Sequence, residues 1–264
     1  MKMKMTFIID TAPSFARREL AGVAACAYAS DALPDLGFRD DEARHLARVL
    51  DLERAGFTEQ ELRPLAARTR LVDDVVRDFF RRHPDGLAIG LFSGPCTRFS
   101  RVDNGLLHWI DIDVPRVIAW KLRRAPRTPR YALVAASPGC DHWIDQLSEA
   151  QGWPTLILGL GLFSQLGPER ISAFLTQASL RLATGVELLL DATPSLHLRP
   201  ATARRARHVE LHRSGGGVES FPWLRVLDES DYPEPLGARV RTTNGLARLL
   251  RRSQLPTLRH LRRT

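Results

Sequence analysis

Cysteine is scarce in this chain of 264 residues: Cys26, Cys96 and Cys140 are odd in number and widely spaced. That excludes a disulfide framework, and no Cys/His spacing suits zinc. The three read as reduced, buried or semi-buried thiols of a cytoplasmic protein with no metal centre. Long apolar runs are missing too. Nothing approaches the roughly 18 residues of a membrane span, and the lysines of Met1–Asp10 are followed by no adequate apolar segment, which argues against a secretory signal. The Gly-x-Ser-x-Gly, His-Glu-x-x-His and phosphate-loop patterns are absent, and no internal repeat or low-complexity segment is found.

What is present is ordinary globular sequence. Apolar residues make up 44% and charged residues 26%, and the length suffices for one large α/β domain with a full core. The net charge of +8 is unevenly placed: residues 237–264 hold eight arginines and no acid, equal to the whole surplus. Such a tail can meet nucleic acid, an acidic partner or an anionic substrate. It equally fits a solvated amphipathic helix over Leu246–Arg252, and it has no aromatic residue to stack on bases. The reading is a small-molecule partner, against nucleic acid and membrane.

Apolar strands alternate with amphipathic stretches, which predicts a mostly parallel sheet with helices on both faces. Strands are expected at Leu87–Leu91, Leu107–Ile112, Tyr131–Ala136, Thr155–Leu160 and Val186–Asp191, and helices near Val114–Arg124, Asp141–Ala150 and Pro168–Leu182. Helical stretches at Asp40–Ala55 and Glu59–Arg82 suggest an N-terminal cap over residues 1–82, with the sheet domain over 83–264, the two forming one structural unit. Past the fifth strand, 194–217 reads as a lid over the crevice. Phe221–Leu227 and Ala238–Thr242 read as a closing hairpin.

The most informative block is Ile89-Gly-Leu-Phe-Ser-Gly-Pro-Cys-Thr-Arg98, followed by Asp111-Ile-Asp-Val-Pro115 and Lys121. An apolar strand runs into a glycine turn, and a second strand ends on acids about twenty positions later, the spacing with which an open α/β sheet holds a nucleoside. The block resembles that of the leucine carboxyl methyltransferase-like family, which includes polyketide O-methyltransferases: Leu-Gly-Ala-Gly-Leu-Asp-Thr-Arg, then Glu-Val-Asp-Leu-Pro, then lysine. The resemblance extends more loosely from about Phe38 to Asp191. It implies a Rossmann-like methyltransferase fold with a seven-stranded sheet, S-adenosylmethionine as cofactor, and O-methylation of a carboxylate or hydroxyl on a small polyketide-like molecule.

By that resemblance Arg68 meets the cofactor's carboxylate, and Gly94 is the second glycine of the turn. Asp113 is the cofactor-binding acid at the end of the second strand, with Asp111 at the preceding glutamate position. Asp141, with His142 beside it, falls at the acid placed near the adenine. Each has a plainer reading: a surface arginine for Arg68, helix caps for the aspartates. No catalytic residue is assigned. His142, His197, His208 and His212 are expected around the crevice, where any can serve a hydroxyl substrate as base, although histidine is more often a plain hydrogen-bonding residue. Trp109, Trp143 and Trp153 read as packing residues.

The block also departs from the family. Phe92 replaces the first glycine, Cys96 the aspartate of the turn, Leu160 the glutamate of the Glu-Gly pair, and Gln165 the usual tyrosine. Polar cofactor contacts are exchanged for apolar surface. This motivates an alternative: a methyltransferase fold that has lost methyl transfer and serves as a cofactor-independent cyclase or isomerase, or as a binding partner in a biosynthetic pathway.

Overall fold

Leu87–Leu91 and Thr155–Gly159 are apolar runs without alternation, and each is buried at every position, as strands covered on both faces must be. They form the centre of the sheet in the computed structural model, which describes residues 15, 17–33, 37–124, 126–137, 152–162, 168–192, 197–200, 208–212, 218–231 and 257–264. The chain begins with α1 (Arg17–Ala32), α2 (Asp41–Val49) and α3 (Glu59–Arg82). It alternates through β1 (Leu87–Leu91), α4 (Arg98–Val102), β2 (His108–Asp113), α5 (Pro115–Lys121), β3 (Tyr131–Ala135), β4 (Thr155–Gly159), α6 (Pro168–Arg181) and β5 (Glu187–Ala192). It ends in β6 (His197–Pro200), β7 (His208–His212), β8 (Val218–Asp231) and β9 (Thr257–Arg263).

The strands lie in the order β3-β2-β1-β4-β5-β9-β8-β7-β6. Pairing is parallel from β3 to β5 and antiparallel from β5 to β6. The first seven strands in this order make the Rossmann-like sheet that the sequence implies, and β7 and β6 extend it to nine. The reversal between β2 and β4 on either side of β1 opens a crevice at the carboxyl end of β1, the point where such sheets take ligands.

The carboxyl-terminal third departs from its sequence reading. His197–Pro200 and His208–His212, within the supposed lid, are strands of the sheet; the rest of 194–217 lies outside the described residues. Phe221–Leu227 falls within β8, whose partners are β7 and β9. Ala238–Thr242, Asp141–Ala150 and Leu246–Arg252 lie outside the described residues. The basic tail ends in β9, where a row of Leu188, Leu261 and Val226 crosses three strands and Leu261 is buried. Flanking arginines hide that row from a reading by composition. At the sheet end away from the crevice, Glu187 accepts hydrogen bonds from Arg82 Nη1 and Nη2 (both 3.0 Å), His260 Nε2 (2.7 Å) and Arg262 Nη2 (2.5 Å). Burial works against its charge, but these partners hold its carboxyl far below the usual range.

Three apolar cores follow. One lies between the sheet and α6, another between the opposite face and the second half of α3, and the third inside the helical cap. Helix α3 belongs to two of them: Leu62 and Ala66 pack in the cap, and Val72, Val76, Phe79 and Phe80 pack on the sheet. A capping box starts it, with Thr58 accepting from the Glu61 N–H while Glu61 accepts from the Thr58 N–H. Helix α1 carries no sequence motif. Its buried residues are small (Val23, Ala24, Ala25, Cys26, Ala27, Ala29), so no strong apolar stripe announces it. Among the described residues no helix is long and apolar enough to cross a membrane.

Candidate cofactor site

The turn after β1 is fixed by backbone geometry. Phe92 N–H continues the ladder by donating to the Ile112 carbonyl (2.8 Å). The backbone is left-handed at Phe92 (φ +48°) and again at Gly94 (φ +61°). Gly94 suits that conformation; at Phe92 it costs about 1–2 kcal/mol, because Cβ crowds the following carbonyl oxygen. Phe92 stands where the family has glycine, so the turn retains a glycine's backbone around a phenyl side chain.

The two acids of β2 have different tasks. Asp111 is buried behind the turn, where Oδ1 accepts from Trp109 Nε1 (2.9 Å) and Oδ2 accepts from Lys121 Nζ (2.6 Å) and Tyr131 OH (2.5 Å). Burial alone would lower the Lys121 pKa, but Asp111 alongside outweighs it and raises it; burial and Asp111 together push the Tyr131 phenol well above its ordinary range. A Cβ at Gly90 would sit 2.5 Å from Asp111 Oδ1, so only glycine leaves room for this cluster. Asp111 thus supports the sheet and does not line the crevice. Asp113, at the strand end, clamps the turn: Oδ2 accepts from Gly94 N–H and Oδ1 from Val114 N–H, both at 2.8 Å. Burial raises its pKa, against the pull of Lys121 and of the two N–H groups.

A second buried group joins the cap to this turn. Asp73 of α3 accepts from Arg98 Nε (2.7 Å) and from Arg101 Nε (2.6 Å) and Nη2 (3.1 Å). Asp40 accepts from Arg101 Nη1 and Thr97 Oγ1, both at 2.6 Å, and caps α2 through the Ala43 N–H (2.8 Å). Two carboxylates and two guanidiniums balance inside the protein. Burial opposes the charge on Asp73, yet Arg101 and Arg98 hold its pKa below the ordinary value.

Between cap and turn lies a cavity of about 270 Å³. Helix α1 contributes Glu19, Val23 and Cys26; α3 contributes Leu65, Arg68 and Thr69; the turn contributes Phe92, Ser93, Gly94, Cys96 and Thr97; and Leu160 and Gly161 close the end of β4. Burial pushes the Cys26 thiol up to about 12, so it is inert at neutral pH. Cys96 Sγ accepts from Arg98 Nη1 (3.6 Å).

The structure therefore gathers Arg68, Gly94, Phe92, Cys96 and Leu160 around one cavity and puts Asp113 directly behind Gly94. Asp141, His142, Trp143 and Gln165 lie outside the described residues. His197, His208 and His212 do not surround the crevice: they lie on β6 and β7, and β7 is five strands from β1, about 24 Å at the usual spacing. Trp109 is buried as expected, but Trp153 is largely exposed beside His108. Sequence reasoning missed Glu19 and Cys26, which reach the cavity from the unmarked helix α1. No group of three or more His, Cys, Asp or Glu able to hold a metal occurs among the described residues.

Among known proteins, the tetracenomycin polyketide synthesis O-methyltransferase TcmP of Streptomyces glaucescens is 30% identical over 193 residues, spanning 72% of this chain and 67% of that one. The chain belongs to the class I methyltransferase family. A candidate methyltransferase from Thermobifida fusca YX shares the fold, with a TM-score of 0.52, 14% identity and 97% coverage of both chains. No protein-family model matches the sequence.

Proposed function

We propose that the chain is an S-adenosylmethionine-dependent O-methyltransferase acting on a hydroxyl or carboxylate of a small polyketide-like molecule, within the leucine carboxyl methyltransferase-like branch. The observation that carries the reading is the Gly94 turn, clamped by Asp113 and opening on a cavity that holds Arg68. The relative in Streptomyces glaucescens, named for O-methylation in polyketide synthesis, supports the acceptor class.

The residues fit the cofactor's methionine end. The cavity is slightly smaller than the ~300 Å³ lower bound for whole-ligand sites, which suits part of a molecule. Arg68 supplies a cation for the carboxylate, Gly94 lets backbone approach closely, and Asp113 stands at the strand end where a ribose hydroxyl is met. When bound, the cofactor supplies an electrophilic methyl group on a sulfonium. The chain's contribution is alignment and exclusion of water, since in-line transfer depends chiefly on positioning. Incubation with methyl-labelled cofactor and a panel of aromatic polyketide phenols and acids tests the reading. Label in an extracted acceptor is expected, and its absence across the panel counts against the acceptor class.

Phe92 favours the second reading, of a fold that has left methyl transfer behind, because it occupies the glycine position. It also gives a direct prediction. Phe92→Gly relieves the left-handed strain while losing ring packing, so stability should stay within about 1 kcal/mol of the parent. S-adenosylhomocysteine should bind about tenfold more tightly by calorimetry, as the cavity wall recedes. Unchanged affinity would show that the ring does not obstruct the ligand.

A further inference from the structure

We propose that Cys96 is an oxidation site, where hydrogen peroxide converts the thiol to a sulfenic acid whose oxygen seats in a small chamber behind the turn. The inference is independent of the cofactor reading. Cys96 lies in the wall between two spaces: the 270 Å³ cavity, and a chamber of about 20 Å³ among α2, α4 and α5. The chamber has room for one water-sized group. Glu42, Trp120, Lys121 and Tyr131 line it together with Cys96. Trp120 is 5% exposed, and its Nε1 is buried with no hydrogen-bond partner. Buried N–H groups are seldom left unmatched, so the chamber is short of an acceptor. The polar groups around it are engaged elsewhere: Lys121 Nζ and Tyr131 OH donate to Asp111, and Glu42 accepts from Ser100 Oγ. One oxygen on Cys96 would supply what is missing.

The reaction balances with peroxide alone. The Cys96 sulfur attacks one peroxide oxygen, and the S–O bond forms as the O–O bond breaks. Sulfur gives up two electrons, and the departing hydroxide leaves as water with the thiol proton. Thiolate is the attacking form. Arg98 Nη1 stands 3.6 Å from Sγ while its Nε is held by Asp73, so a guanidinium faces the sulfur as it carries negative charge. Burial works against the Arg98 charge, and negative charge on Cys96 and Asp73 raises its pKa. Cys96 is half-buried, and the larger cavity gives peroxide its approach. Cys26 lines that cavity too, but burial pushes its thiol up to about 12, so it stays protonated. A sulfenic oxygen also has the reach of the aspartate oxygen that the resembled block carries at the position of Cys96.

The test exposes the reduced full chain to a small excess of hydrogen peroxide with dimedone, which traps sulfenic acids, and reads each cysteine by peptide mass spectrometry. Label on Cys96 and none on Cys26 is expected, and Cys96→Ser should lose it. No label, label on another cysteine in place of Cys96, or a Cys26–Cys96 disulfide that takes up no dimedone overturns the inference. Seating of the oxygen is read without dimedone. Peroxide should raise the melting temperature by about 2–4 °C as one buried N–H gains an acceptor, and dithiothreitol should reverse the rise. In Trp120→Phe, Cys96 should still take the label, but the rise should vanish. An oxidised parent that melts no higher than the reduced one, or an equal rise in Trp120→Phe, overturns the placement of the oxygen in the chamber.

Discussion

Replacing Asp73 with alanine is expected to destabilise the protein by about 3–5 kcal/mol, the largest effect of any single change considered. Asp73 is fully buried and faces two buried guanidiniums, those of Arg98 and Arg101. Its removal leaves Arg98 without a carboxylate and Arg101 with Asp40 alone, in surroundings where water cannot compensate. For a chain of this size the loss corresponds to a melting temperature lower by roughly 10 °C. Asp73→Asn keeps the shape without the charge and should fall nearly as far. Because the group joins α3 to the turn after β1, the loss should also loosen the cap over the cavity. Thermal denaturation of the two variants checks this, and a melting temperature within a degree or two of the parent would show that the network contributes no net stability.

Asp113→Ala is the second large effect. Both oxygens of Asp113 accept backbone N–H groups, so alanine strands those of Gly94 and Val114, at about 1–3 kcal/mol for each group left unsatisfied. The turn that shapes the cavity loses its clamp, and on the proposed function a bound ribose would lose its acceptor. Affinity for S-adenosylhomocysteine should fall by about a hundredfold or more, beyond what destabilisation explains. Calorimetry on the folded variant separates the two effects. Retained affinity in a protein of reduced stability would restrict Asp113 to holding the turn. Asp113→Asn can serve one N–H but sets a donor against the other, and it should fall between alanine and the parent.

The parallel half of the fold was legible because its strands are continuous apolar runs and its helices carry clear punctuation, such as Pro115 in the first turn of α5. The turn and its acids were legible from spacing, but their division of labour was not. Asp111 and Asp113 look equivalent in Asp111-Ile-Asp113, and only the packing of Trp109, Lys121 and Tyr131 commits the first to the interior. Helix α1 escaped notice because alanines bury without a stripe, and Glu19 escaped with it. The antiparallel extension was misread because short strands among arginines and histidines resemble loops by composition. Their register depends on partners distant in sequence, as when Thr257–Arg263 enters between β5 and β8.

Titration of the purified, ligand-stripped protein with S-adenosylmethionine and S-adenosylhomocysteine tests the central claim, that the cavity beside Gly94 holds the cofactor's methionine end. One-to-one binding in the micromolar range is predicted, with a melting temperature that rises with ligand concentration. No heat up to millimolar ligand, together with an unshifted melting temperature, would contradict the account and favour the fold without methyl transfer.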